Sequence, residues 1–250
     1  MTPRRLGRKR FPKPPTSEGG AAFLFGFLAC LAVSTAYFDR DLLLDLQGMR
    51  SHHLGLAFGL CWVWVAGRWG DAKGYPHPFT LLVLMVGAAI AAGFGLTIHT
   101  LRIGERVFEL GGLAVPFTLL WMVAVSEFFR LFDGLDGLLV GLVLCAIGLQ
   151  LVVLSEEEGY ARILCHAALP PLLGLLPYRV YPARIELRGI GARLPGFVFS
   201  AITMAGREKA FTTKAVLLPT LVLIAVFSLL VLWVLEQQLF LPRKGKGTSS

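Results

Sequence analysis

Apolar stretches separated by short polar connections run along almost the whole chain. A helix needs about 20 apolar residues to cross the hydrocarbon core of a bilayer. Three stretches come closest to that length, and the shorter ones fit only as helices packed inside a bundle. The pattern predicts eight helices, at 21–38, 54–67, 79–98, 110–125, 138–154, 163–176, 194–205 and 215–235.

The amino-acid composition, taken with this pattern, indicates the fold class. Of the 250 residues 55% are hydrophobic and 16% are charged, whereas a soluble domain has about 25% charged residues. We therefore expect an all-α, polytopic membrane helix bundle of about eight transmembrane helices, with no room for a large soluble domain. The cysteines lie in apolar stretches without CxxC spacing, so we interpret them as packing residues: Cys30, Cys61, Cys145 and Cys165.

The basic residues indicate an orientation. The net charge is +8, but the arginines and lysines lie between apolar runs, which argues for membrane topology and against nucleic acid as a partner. With the N-terminus inside, the cytoplasmic segments are 1–20, 68–77, 126–137, 179–193 and 240–250. These hold 16 of the 24 basic residues, so both termini are predicted to be cytoplasmic.

Three regions follow from this topology. Residues 1–19 form a basic cytoplasmic tail, 20–239 the transmembrane domain and 240–250 a second basic tail. The first apolar stretch is followed by a polar DRD sequence and lacks a small-residue cleavage site. We therefore interpret it as a retained helix and not as a signal peptide.

Two aspartates interrupt the apolar pattern in FRLFDGLDGLLVG. Asp133 and Asp136 share one face if this stretch is helical. Carboxylates near membrane depth are costly and usually functional, and Mg²⁺ prefers one or two carboxylates together with waters and phosphates. The alternative is that both aspartates cap the helix at 138–154.

The same stretch resembles a family signature. Residues 133–138, DGLDGL, match the second half of N-x-x-N-x-x-D-G-x-D-G-L, found in the polyprenyl-phosphate N-acetylhexosamine-1-phosphate transferases, glycosyltransferase family 4. This family includes phospho-N-acetylmuramoyl-pentapeptide transferase. Stretches at 13–26, 67–75 and 175–197 are similar to other family motifs in the same order, so the resemblance runs from about residue 13 to about residue 235.

The resemblance implies an enzymatic activity and a cellular location. Members of this family transfer a sugar phosphate from a UDP-sugar to polyprenyl phosphate at the cytoplasmic face of the bacterial inner membrane, using Mg²⁺. The products feed cell-envelope polysaccharide or peptidoglycan synthesis. The matching positions, Asp71, Asp133 and Asp136, would be the catalytic residues and the metal ligands.

The sequence departs from the family where the chemistry lies. The first aspartate of the family's D-D pair is Gly70, and two asparagines before the D-G-x-D-G motif are Glu127 and Arg130. A third asparagine is Arg179, and the G-D of the last motif is Arg188-Gly189. The family's first helix and histidine-rich loop have no counterpart, so we expect a divergent and truncated member.

The arginines at these positions suggest phosphate binding in place of metal binding. Arg130 is one helical turn from Asp133 and could pair with it. Arginine also binds phosphate bidentately, which makes Arg130, Arg179, Arg188 and Arg184 candidate phosphate ligands. The alternative is that these arginines only follow the positive-inside bias. A replacement catalytic role for the nearby His77 has weak support.

Three hypotheses remain open at this point. The substitutions favour a member with lost or altered transfer that binds polyprenyl phosphate or another anionic lipid, together with a protein partner or a second copy of itself. The alternative is an active, Mg²⁺-dependent transferase that uses a UDP-sugar with remodelled ligands. An unrelated transporter is disfavoured because the apolar stretches are almost free of ionisable groups.

Overall fold

Helices make up most of the protein. The structure is a computed structural model that describes residues 18–38, 46–103, 106–134, 137–153, 159–179, 185–205 and 210–212. The helices in this part of the chain are α1 Gly19–Phe38, α2 Leu46–Lys73, α3 His77–Gly93, α4 Ala114–Arg130, α5 Leu138–Val153, α6 Gly159–Arg179 and α7 Leu194–Met204.

Each of the first seven predicted stretches corresponds to one of these helices, so the helical prediction is confirmed over the described residues. The stretch at 215–235 and the tail at 240–250 lie outside them, as does nearly all of the N-terminal tail. The count of eight spans, the domain boundaries and the orientation therefore stay predictions.

A small sheet accompanies the helices, which the all-α prediction missed. Its strands are β1 Thr100–Ile103, β2 Arg106–Glu109 and β3 Ala210–Thr212, in the order β2-β1-β3. β1 pairs antiparallel with β2 and parallel with β3. Strands of three or four residues are too short to show the alternation by which a strand is recognised in a sequence.

One helical segment within the described ranges, Gly111–Asp133, has the length and apolar composition needed to cross a membrane. Three shorter apolar helices accompany it, at Gly19–Thr35, His77–Gly93 and Leu138–Val152. Large apolar side chains point outward on several of these helices, for example Phe25, Val33, Leu82, Leu120 and Val152. A helix of a soluble protein would turn such residues toward the core.

The short helix α7 lies at the centre of the bundle. All eleven of its residues are buried, and it packs against α4, α6, α2, α5 and α1. Close approach to α4 requires glycine at 196, since a Cβ there would lie 2.9 Å from the Cα of Ser126. Its position inside the bundle explains how a helix too short to cross a membrane is accommodated.

Candidate functional site

A polar cavity of about 580 Å³ lies at one end of the bundle. It is formed where α2, α4 and α6 end, where α3 begins, and by the loop that leads into α7. The topology prediction placed these connections on the same side of the membrane. The lining residues are Asp71, His77, Thr80, Arg130, Asp133, Arg179, Glu186, Arg188, Gly189 and Arg193.

Asp133 and Arg179 form an ion pair across the cavity wall. Asp133 lies in a 3₁₀ turn after α4, Leu131–Gly134, and Arg179 is the last residue of α6. Nη2 of Arg179 donates to Oδ1 of Asp133 over 2.8 Å. The arginine side chain is only 2% exposed and that of the aspartate 16%. A guanidinium this deeply buried requires a counter-charge.

The remaining donors of Arg179 are less well satisfied. Nη1 reaches the carbonyl oxygen of Ile185 at 3.5 Å, the limit for a hydrogen bond. Nε is buried and has no hydrogen-bond partner among the described residues. The ion pair with Asp133 is therefore the main interaction that holds this guanidinium.

Glu127 connects two arginines and a histidine. Its Oε2 accepts from Nε of Arg130 at 2.7 Å, and its Oε1 accepts from Nε of Arg193 at 2.6 Å. Nε2 of His77 lies 3.4 Å from Oε2. Arg193 is 5% exposed and also donates to the carbonyl oxygen of Gly189. Glu127 thus ties α4 to the start of α3 and to the loop before α7.

The pairing expected from the sequence is wrong in one respect. Arg130 was predicted to pair with Asp133, but it pairs with Glu127, and Arg179 takes Asp133. The reason is the end of α4 at Arg130. Asp133 lies in the following 3₁₀ turn, so the helical i,i+3 relation holds for Glu127 and Arg130 and not for Arg130 and Asp133.

Asp71, at the C-terminal end of α2, accepts a hydrogen bond from a tight turn in the loop that leads into α7. Its Oδ2 accepts from the backbone N–H of Ile190 at 2.9 Å. A Cβ at Gly189, where φ is +56°, would lie 2.2 Å from that same oxygen. Arg188 also has a positive φ, +29°, which costs energy for any residue with a Cβ, and its Nε pairs with Glu186. The turn therefore engages one oxygen of the Asp71 carboxylate.

Gly70 stands where the resemblance places another aspartate. A Cβ at this position would lie 2.6 Å from Cε1 of Phe79. The Phe79 ring packs 4.8 Å from the Tyr75 ring and 6.2 Å from the Trp69 ring, centroid to centroid. An aromatic cluster therefore fills the space that a side chain at position 70 would need.

The described residues show no preassembled set of magnesium ligands. No three Asp, Glu, His or Cys side chains in this part of the chain come together as a ligand set. Asp133 is bound by a guanidinium and Asp71 by a backbone amide. Mg²⁺ requires carboxylate oxygens that are available for coordination.

The cavity brings together most of the residues predicted from the sequence. Asp71, Asp133, Arg130, Arg179 and Arg188 all line it, whereas Asp136 and Arg184 lie outside the described residues. The sequence interpretation did not include three site residues. These are Glu127, Arg193 and Glu186. Two signals could have identified Glu127: its i,i+3 spacing from Arg130 and its place at one of the family's asparagine positions.

Comparison with known proteins gives the same family as the motifs. A family model described as glycosyl transferase family 4 matches residues 53–207, more than half of the chain. The match includes the motif stretches at 67–75 and 175–197 and the aspartate motif, and it leaves the stretch at 13–26 outside.

Individual relatives are similar over part of their length. A probable undecaprenyl-phosphate N-acetylglucosaminyl 1-phosphate transferase of Bacillus subtilis (strain 168) is 29% identical over 147 residues, 56% of this chain and 40% of that protein. A phospho-N-acetylmuramoyl-pentapeptide-transferase of Limosilactobacillus fermentum is 29% identical over 178 residues, 63% of this chain and 52% of that protein. The chain thus spans about half the length of these two relatives.

Proposed function

This chain belongs to glycosyl transferase family 4, and from that premise we propose that it binds the phosphate of a polyprenyl phosphate, or of a similar anionic lipid, without transferring a sugar phosphate. The proposed location is the bacterial cytoplasmic membrane, which the chain crosses several times with both termini inside. The family suggests a role in cell-envelope synthesis.

The outer surface of the bundle supports the membrane location. Large apolar side chains face outward along α1, α3, α4 and α5. The segment Gly111–Asp133 is long enough to span the hydrocarbon core. Seven charged residues line the cavity at one end of the bundle, as expected where a membrane protein meets headgroups and phosphates.

Arg130 and Arg188 support binding of a phosphate. Each pairs with a carboxylate through Nε, and among the described residues no hydrogen bond involves their Nη groups. Their side chains are 35% and 65% exposed on the cavity wall. The Nη edge of a guanidinium is well suited to two phosphate oxygens.

The proposed loss of transfer rests on one observation: the carboxylates of Asp133 and Asp71 are already bound by other groups of the protein. Asp133 is held by Arg179, and Asp71 is held by the amide of Ile190. Transfer by the metal-dependent route needs a cation that bridges diphosphate oxygens and offsets charge on the leaving group. In this arrangement each of the two described aspartates already has one carboxylate oxygen in a hydrogen bond, and that of Asp133 also faces a fixed positive charge.

Binding is tested with purified protein and farnesyl phosphate, a short polyprenyl phosphate, by titration calorimetry with EDTA present. Farnesol is the phosphate-free control, and we expect it to bind at least about tenfold more weakly, as charge-assisted hydrogen bonds are lost. Arg130→Gln and Arg188→Gln should each weaken binding of the phosphate about tenfold. Arg68→Gln is the matched control, because Arg68 lies over the Trp64 ring and does not line the cavity. Equal affinities for farnesol and farnesyl phosphate would refute the proposal.

Loss of transfer is tested by UMP release. The protein is incubated with Mg²⁺, polyprenyl phosphate and a panel of UDP-sugars, and no release above background is expected. Magnesium-dependent release with any donor would establish the alternative, an active transferase with remodelled ligands. A protein partner or a homodimer stays a prediction of the sequence.

A further inference from the structure

We infer that Arg179 acts as a permanent counter-cation for Asp133, so that it replaces a divalent cation and keeps one out of the cavity. A cation site is then latent in this chain and opens when the guanidinium is replaced by a neutral side chain. The inference concerns the same cavity as the proposed function, but its metal-binding test needs no lipid and stands apart from lipid binding.

The position of Arg179 supports this inference. Its side chain is almost completely buried, while Asp133 keeps part of its surface on the cavity. The only strong interaction of the guanidinium among the described residues is the contact of Nη2 with Oδ1 of Asp133. Moving it away would leave a buried charge without a partner, so the arginine is fixed in place and is not a mobile surface group.

Electrostatics explains how a fixed guanidinium excludes a dication. Any ion that contacted the carboxylate of Asp133 would lie within a few Å of the positive charge on Arg179. Repulsion between a unit charge and a dication at that distance is large even at an effective protein dielectric constant of about 20. The pair is also partly buried, and salt screens buried charges weakly.

A second pair repeats the same arrangement. Arg193 is buried and donates to Glu127, in parallel with Arg179 and Asp133. Both carboxylates come from α4 and the turn that follows it, and both arginines come from the end of α6 and the loop before α7. Residues 179–193 thus supply two fixed positive charges. One divalent cation would carry the same total charge.

The other three arginines of the cavity, Arg130, Arg188 and Arg193, are paired with Glu127 or Glu186, so once Arg179 is removed Asp133 lacks a counter-charge. Asp133 lines a polar cavity of about 580 Å³, which has room for an ion and its waters. Mg²⁺ and Mn²⁺ both prefer oxygen ligands and are often held by one or two carboxylates together with water. A carboxylate freed from its guanidinium offers that ligand.

Manganese binding to purified protein, followed by electron paramagnetic resonance of the free ion, tests the inference. We expect no stoichiometric Mn²⁺ binding to the wild type and a gain of at least about tenfold in affinity for Arg179→Gln. Arg179→Lys keeps the charge and is the matched control, which should not gain. Adding Asp133→Asn to Arg179→Gln should abolish the gained binding.

Two results would overturn the inference. One is stoichiometric Mn²⁺ binding by the wild type that disappears in Asp133→Asn. The other is a folded Arg179→Gln protein that binds Mn²⁺ no better than the wild type. If Arg179→Gln does not fold, as judged by circular dichroism, a second neutral replacement, Arg179→Asn, is measured in its place against the same Arg179→Lys control. A failure of farnesyl phosphate to bind would reject the proposed function and leave this result unaffected.

Discussion

The buried ion pairs of the cavity wall and the buried helix α7 are stabilised by different interactions. They meet at Arg193, which lines the cavity and directly precedes α7. In α7 burial depends on shape, because mostly apolar side chains fill the centre of the bundle. In the cavity wall burial depends on matched charges. We therefore expect α7 to be sensitive to volume and the wall to be sensitive to loss of a single ionic partner.

Arg179→Met should produce the largest effect. It leaves Asp133 without its counter-charge, and breaking a buried pair costs about 3–5 kcal/mol, with the lower value expected here because Asp133 is partly exposed. Replacing both partners, Arg179→Met with Asp133→Leu, should recover most of the stability. Thermal unfolding in detergent measures both variants. A double variant as unstable as the sum of the single ones would contradict the charge-pair explanation.

Gly196→Ala tests the other region by adding one methyl group between α7 and α4. Its Cβ would lie 2.9 Å from the Cα of Ser126 and 3.1 Å from the carbonyl oxygen of Val125. Overpacking of this kind costs about 1–3 kcal/mol. Gly174→Ala on α6 is the matched control, since no heavy atom lies within 4 Å of its added Cβ. That control should be neutral or slightly stabilising, and equal losses in both variants would refute the packing argument.

Arg188→Gly should leave the loop beside the cavity more stable than Arg188→Ala does. The positive φ of Arg188 costs about 1 kcal/mol for a residue with a Cβ, and glycine removes that cost. Arg188→Ala loses the same ion pair with Glu186 but keeps the strain. The unfolding temperature of the glycine variant should therefore exceed that of the alanine variant. The reverse order would show that the backbone at this position is not strained.

The smallest effect concerns a polar contact of α7. Nε1 of Trp121 donates to Oγ1 of Thr203 over 3.1 Å. Hydrogen bonds between helices in membrane proteins contribute about 0.6 kcal/mol on average. A double-mutant cycle of Trp121→Phe and Thr203→Val should give a coupling energy near that value. A coupling above about 2 kcal/mol would mean that α7 depends on polar contacts as the cavity wall does.

The apolar pattern predicted where helices occur but was less successful at their ends. α2 extends from Leu46 to Lys73, beyond the predicted 54–67, because polar residues continue the helix on both sides of its apolar centre. α3 ends at Gly93, before the predicted end at 98. The chain turns at Gly95, whose φ of +99° suits glycine alone. Apolar content therefore identifies a span more reliably than it identifies its termini.

The topology prediction put the polar connections on one side of the membrane, but it could not predict which charges pair. The pairing depends on the residue at which α4 ends and the 3₁₀ turn begins. A shift of that boundary by a few residues would change which charges face each other. Arg193 shows the same limit. The positive-inside pattern counts it as one more cytoplasmic arginine, whereas the structure buries it against Glu127.

The close approach of Phe79 to Gly70 limits which side chains position 70 can carry. An aspartate at position 70 would have to displace an aromatic ring that is packed against Tyr75 and Trp69. Positions 70 and 79 are therefore coupled. An aspartate at position 70 should be tolerated only together with a smaller side chain at position 79, and that change would in turn take apart the aromatic cluster.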